Sequence, residues 1–132
     1  MYQRRDRMKV AVTSKGKEPG SEVDPRFGRC RYFAIIDTDT GGFEAVENEG
    51  ALAAGGAGPQ ASQTLSRTGA RVVISGSVGP KAFEALKAAG IEIITGGAGT
   101  VEEVVKKYMK GELKPVTSHS VDSHSGMGGR RG

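Results

Sequence analysis

GPQASQTLSRTGARVVISGSVGPKAFEALKAAGIEIITGGAGTVEEVVKKYMKG, residues 58–111, switches back and forth between two hydrophobic periods. "GPQASQTLSRTG" (58–69), "GPKAFEALKAAG" (79–90) and "TVEEVVKKYMKG" (100–111) carry helical spacing and each ends on a glycine, the residue that accepts the left-handed conformation past a helix C-terminus. Ala82, Phe83, Leu86 and Ala89 fall on one stripe of the second helix, and Val101, Val104, Val105 and Tyr108 on one stripe of the third. Between the helices stand two short β-branched runs, "RVVIS" (71–75) and "IEIIT" (91–95), which read as buried strands. Helices alternating with buried strands imply parallel strands joined by right-handed crossovers.

Upstream of this stretch the pattern is different. "KVAVTS" (9–14) reads as a first strand stopped by "KGKEPG", with a long loop running to Arg29. "RYFAIIDT" and "FEAVENE" flank "DTDTGG" and read as an antiparallel hairpin. In the second hairpin strand Phe43, Ala45 and Glu47 alternate with Glu44 and Val46, a half-solvated pattern that suits a sheet edge. Asp37 and Asp39 sit where turn chemistry is expected, and Asp24 before Pro25 suits an Asx-type turn. The expected class is α/β: one layered domain over residues 8–116, with a basic extension at 1–7 and a disordered Ser/Gly/His tail at 117–132.

Composition narrows function mainly by exclusion. The chain has 132 residues and a formal net charge of +4. Between Met8 and Val116 there are 14 basic and 13 acidic side chains, so the excess lies at the ends and gives no footprint for specific nucleic-acid binding. No apolar run reaches membrane-spanning length and no signal peptide is recognisable, so a cytoplasmic protein is expected. One cysteine excludes an internal disulfide and a four-thiolate iron-sulfur site within one chain. The body between residues 8 and 116 holds no histidine, which removes Ser/His/Asp catalysis, and its strand-borne acids sit around a hairpin rather than as a two-metal cluster. A non-enzyme is expected. His119 and His124, with Asp122 between them, could offer at most a loose divalent-ion site.

One short motif recurs. "GGAGP" (55–59), "GSVGP" (76–80) and "GGAGT" (96–100) share G-x-x-G-[PT], and each opens a helix. Proline suits the first helical turn, and Thr100 with Glu103 forms a capping-box pattern. Such starts concentrate unpaired N–H groups and the positive end of the helix dipole, so Gly55, Gly56, Gly58, Gly76, Ser77, Gly79, Gly96, Gly97, Gly99 and Thr100 are candidate anion-binding residues. The loops after parallel strands emerge on one sheet edge, which would bring the three starts together beside "RFGRCR" (26–31). Arg26, Phe27, Gly28, Arg29, Cys30 and Arg31 then join the candidate set, with arginines expected to lower the Cys30 pKa and make it a soft thiolate ligand. The plainer alternatives are glycine used only for tight turns, Cys30 as a small core residue, and arginines paired with Glu18, Glu22 and Asp24.

"DPRFGRCRYFAIID", "GGAGPQASQTL", "GSVGPKAFEALKAAGI" and "TGGAGTVEEVVKKYMKGEL" together resemble the dinitrogenase iron-molybdenum cofactor-binding family over about Met8 to Leu113. The resemblance implies a ribonuclease-H-like α/β/α domain of five strands, with the second antiparallel. It also implies non-catalytic binding, carriage or assembly of a metal-sulfur cluster of iron-molybdenum or molybdenum/iron sulfide type, tied to nitrogen fixation, with cluster donor and acceptor proteins as partners. A homodimer along an exposed strand edge, and a cluster bridged through two copies of Cys30, stay open at this stage. The competing expectation is a module for a phosphorylated small molecule or nucleotide held by the same helix starts.

Overall fold

The computed structural model describes residues 8–52 and 56–116. Its strands are β1 (Lys9–Ser14), β2 (Tyr32–Asp37), β3 (Phe43–Glu47), β4 (Ala70–Ile74) and β5 (Glu92–Ile94), and its helices are α1 (Ala57–Thr68), α2 (Pro80–Ala88) and α3 (Val101–Met109). The five strands form one mixed sheet in the order β3-β2-β1-β4-β5. β2 runs antiparallel to both its neighbours, whereas β1, β4 and β5 are parallel. The expected α/β class, strand count and antiparallel second strand are therefore present, and β3 takes the expected edge.

Alternation along the strands divides the apolar side chains between two faces. Ala11, Phe33, Ile35, Val73 and Ile93 pack under α1 and α2 with Ala61, Leu65, Ala82, Phe83 and Leu86. Val10, Val12, Ala34, Val72, Ile74 and Ile94 pack under α3 with Val101 and Val104. Three layers result, two helices on one face and one on the other. The stripe of α3 holds as read, with Val105 and Tyr108 partly buried against it. That of α2 is one residue shorter, because Ala89 is already the exposed C-cap.

Turn chemistry accounts for the ends. Asp37 Oδ1 accepts the N–H groups of Asp39 (2.9 Å) and Thr40 (3.2 Å), and Gly41 takes φ 80° to close the hairpin. After β3 the chain makes a 3-10 turn at Glu49–Leu52 that the hydrophobic pattern does not signal. The C-terminal segment comes back to the sheet, where Val116 N–H donates to Ile93 O (2.8 Å) and partly shields the β5 edge.

Because β1, β4 and β5 are parallel, their C-terminal ends share one edge with the start of β2 and the starts of all three helices. The loop 15–31 runs across this edge and stitches it together. Glu22 bridges to Thr100, Val23 to Ser14 and Arg26 to Ser77.

Candidate functional site

The three helix starts share an edge but not a chemistry. At α3 every early N–H is used: Val101 N–H donates to Ser21 O (2.9 Å) and Glu102 N–H to Pro19 O (3.0 Å). Glu103 N–H donates to Thr100 Oγ1 (3.2 Å) while Thr100 N–H donates to Glu103 Oε1 (2.9 Å), the capping box read from the sequence. Gly99, at φ 104°, offers its carbonyl to Val23 N–H (2.9 Å). With its donors satisfied, this start has no N–H left for an anion. It also sits on the opposite face of the sheet from α1 and α2, and Gly97 packs against Ile74. Gly96, Gly97, Gly99 and Thr100 are therefore corrected from guest-binding to structural residues. The repeat encodes three helix starts of which the loop 15–31 caps one.

The other two starts remain open. Among the described residues, the N–H groups of Ala57 and Gly58 at α1, and of Lys81 and Ala82 at α2, donate to no protein acceptor. Gly56 opens α1 in the left-handed region (φ 72°) and Pro80 opens α2, and neither start has a side-chain cap. The two starts lie close together: a Cβ placed on Gly58 would come 2.8 Å from Ala82 Cβ. Between them is an open cleft of about 430 Å³, lined by Gly28, Arg29, Gly56, Ala57, Gly58, Pro59, Gly79, Pro80, Lys81 and Ala82. Gly28 forms the third wall, so near α1 that a Cβ on it would lie 3.1 Å from Gly58 N. Any larger residue there would crowd the donor. Two helix dipoles, four open N–H groups and the cations Arg29 and Lys81 meet at one solvent-open place, which suits an anion.

Of the residues expected from the sequence, Gly28, Arg29, Gly56, Gly58 and Gly79 line this cleft. Gly55, His119 and His124 fall outside the described residues. Gly76 has a different function: a Cβ there would lie 2.6 Å from Pro25 Cα, so glycine is needed to let the loop cross β4's end. Ser77 is committed to the same crossing, its N–H (2.8 Å) and Oγ (3.0 Å) both donating to Pro25 O. Phe27 is a core residue, 5.6 Å from the Phe33 ring between centroids.

The arginines do not converge. Arg26 pairs with buried Asp24 through Nε (3.5 Å), and Asp24 Oδ1 accepts Arg26 N–H (3.0 Å) in the expected Asx-type turn. Arg29 Nη1 donates to Ala51 O (3.0 Å) from the cleft rim. Arg31 points elsewhere, lying over the Tyr32 ring and lining a separate concavity with Glu47, Asn48 and Glu49.

Cys30 overturns the expected thiolate. Its side chain is 0% exposed in the core under α1 and α2. Sγ–H donates to Phe27 O (3.3 Å), and Asn48 Nδ2 approaches the sulfur at 3.8 Å. Burial, and secondarily the charge of Asp24, pushes its pKa up to about 12. Three arginines in sequence do not lower it because their head groups leave the sulfur for solvent, Tyr32 and Ala51. Among the described residues no group of three or more His, Cys, Asp or Glu is gathered as a metal site.

Sequence reasoning missed Lys81, Ala57 and Ala82. The signal was present in the rule that the first N–H groups of a helix are the unpaired ones, which points past the glycines to the residues that follow them.

Fold and cleft together define a small α/β domain that keeps two adjacent helix starts open at one sheet edge. A family model described as "dinitrogenase iron-molybdenum cofactor" matches residues 8–111, and the chain belongs to that family. It is similar to the apo form of the orange protein from Desulfovibrio gigas, at 38% identity over 85% of this chain and 95% of that one, with a TM-score of 0.83. It is also similar to a NifB-like protein from Thermotoga, at 40% identity over 84% and 95% of the two chains and a TM-score of 0.75. A dinitrogenase-like protein from Methanocaldococcus jannaschii, 16% identical over 85% and 97% of the chains with a TM-score of 0.66, shares the fold. Comparison with curated proteins gives no match. Among the described residues no helix is long and apolar enough to cross a membrane.

Proposed function

We propose that this protein binds and carries an anionic metal-sulfur cluster, non-catalytically, in the cleft between the starts of α1 and α2. The cluster is cargo, received from one protein and passed to another in the cytoplasm. The observation that carries this reading is the contrast within a single repeat: four N–H donors are left open at α1 and α2 while those of α3 are all capped. Family membership supports the class of cargo.

The residues suit such a guest in a particular way. A thiometallate spreads multiple negative charge over polarizable sulfur faces, and backbone N–H groups with Arg29 and Lys81 supply directional donors and charge without a covalent bond. A guest held this way can be handed on without breaking a metal-thiolate bond. The buried thiol of Cys30 supports no ligand role for that residue in this arrangement, and neither a single-thiolate site nor a bridge between two copies is proposed.

The test is a titration of anaerobic protein with tetrathiomolybdate, followed by its sulfide-to-metal absorption, with inorganic phosphate as competitor. Saturable 1:1 binding that phosphate displaces only at large excess is expected. Phosphate or nucleotide binding with no response to thiomolybdate would replace this reading with the phosphate-module alternative.

A further inference from the structure

We propose that Asn48 is a positioning residue for the cleft, its carboxamide holding the Gly28 wall at the working distance from the Gly58 donor. This rests on the cleft reading above. Asn48 follows β3, lies outside the cleft lining, and is 5% exposed. Its Nδ2 donates to Gly28 O (3.1 Å) and to Cys30 O (2.9 Å), which uses both amide hydrogens on the two carbonyls flanking Arg29. Its Oδ1 accepts Gly50 N–H (3.1 Å), and its backbone N–H donates to Arg31 O (3.0 Å). A single residue therefore joins segment 28–31 to the 3-10 turn that leads toward α1, its side chain reaching Gly28, Cys30 and Gly50.

The connection reaches the donors from both sides. On one side it fixes Gly28, whose hypothetical Cβ would lie 3.1 Å from Gly58 N. On the other it fixes Gly50, whose hypothetical Cβ would lie 3.0 Å from Gln60 Cβ in the first turns of α1. Arg29 Nη1 closes the same loop by donating to Ala51 O (3.0 Å). No bond from Asn48 reaches α2, so Lys81 and Ala82 are positioned without it.

A buried group that must donate twice tolerates few replacements. Asn48→Asp keeps the shape but sets a carboxylate against two carbonyl oxygens, and Asn48→Ser is too short to span them. The experiment is a tetrathiomolybdate titration of 15N-labelled wild type and both variants, reading affinity and the amide shifts of Gly58, Lys81 and Ala82. In wild type all three amides should shift. In whichever variants retain a cooperative fold, affinity should fall about tenfold or more. The Gly58 shift should shrink while those of Lys81 and Ala82 persist, a split that general destabilisation does not produce. Full affinity with an undiminished Gly58 shift in a folded variant overturns the role of Asn48 and leaves the cleft standing. Wild type with no shift at any of the three amides overturns the cleft and this inference with it. If both variants unfold, wild-type hydrogen exchange gives the answer: protection of Arg29 and Gly58 should rise on thiomolybdate loading together with that of Gly50, and a Gly50 amide indifferent to loading counts against the coupling.

Discussion

Cys30 offers the most quantitative prediction, because its burial fixes both a reactivity and a pH dependence. The thiol is fully buried and its pKa is moved from 9.0 to about 12, mainly by desolvation. At equal pH a shift of that size leaves about a thousandfold less thiolate than an ordinary cysteine, and the thiolate is the reacting species. Native protein at pH 8 should therefore consume an aromatic disulfide reagent at least about a thousandfold more slowly than the urea-unfolded chain. Steric exclusion adds to that factor. The same shift acts on stability. The unfolded chain loses the thiol proton near pH 9 while the folded chain keeps it to about 12, so the stabilisation is complete below pH 9 and is lost between those values. The slope is about 1.4 kcal/mol per pH unit. Urea unfolding of wild type and Cys30→Ala at pH 8, 9, 10 and 10.5 isolates it, since lysines and tyrosines titrate in both. The wild-type advantage over the variant should shrink above pH 9. Fast native labelling, or an advantage that stays flat with pH, would show the sulfur to be ionised or exposed and would refute its placement in the core.

Gly28→Ala should weaken thiomolybdate binding about tenfold with less than about 1.5 kcal/mol lost in urea unfolding, because the added Cβ crowds Gly58 N at 3.1 Å without clashing outright. Gly76→Ala should do the reverse in emphasis: with backbone 2.6 Å from the new Cβ, the loop must shift, and a loss of about 2–3 kcal/mol is expected in the same assay. Thr100→Ala breaks the α3 capping box and should cost about 1 kcal/mol while leaving thiomolybdate affinity unchanged, a separation visible by running both measurements on one sample. Lys81→Gln removes an exposed charge from the cleft and should lower affinity about fivefold, with a shallower salt dependence in titrations from low to moderate ionic strength.

The architecture was legible because its signals are local. β1 begins and ends where "KVAVTS" does, and Gly69, Gly90 and Gly111 take positive φ just past the ends of α1, α2 and α3. Asp24, Asp37 and Thr100 perform the turn and cap chemistry their positions suggest. What the chain did not disclose depends on contacts far apart in sequence. Three copies of G-x-x-G-[PT] look alike; the Thr100–Glu103 box marks the third locally, but only the path of residues 19–23 across α3 takes up its Val101 and Glu102 N–H groups. Three arginines around one cysteine suggest a charged thiolate, yet alternation at the entry to β2 turns the sulfur inward and the guanidinium groups outward. Asn48 gave no sequence signal, because its value lies in reaching two carbonyls 18 and 20 residues earlier.

Anomalous diffraction at the molybdenum edge, on crystals of the wild-type protein loaded with tetrathiomolybdate, tests the whole account in one map. The metal should lie between the α1 and α2 starts with its sulfurs facing the amides of Gly58 and Ala82, and with Cys30 Sγ still enclosed. Molybdenum bonded to that sulfur, or seated at the α3 start, would contradict it.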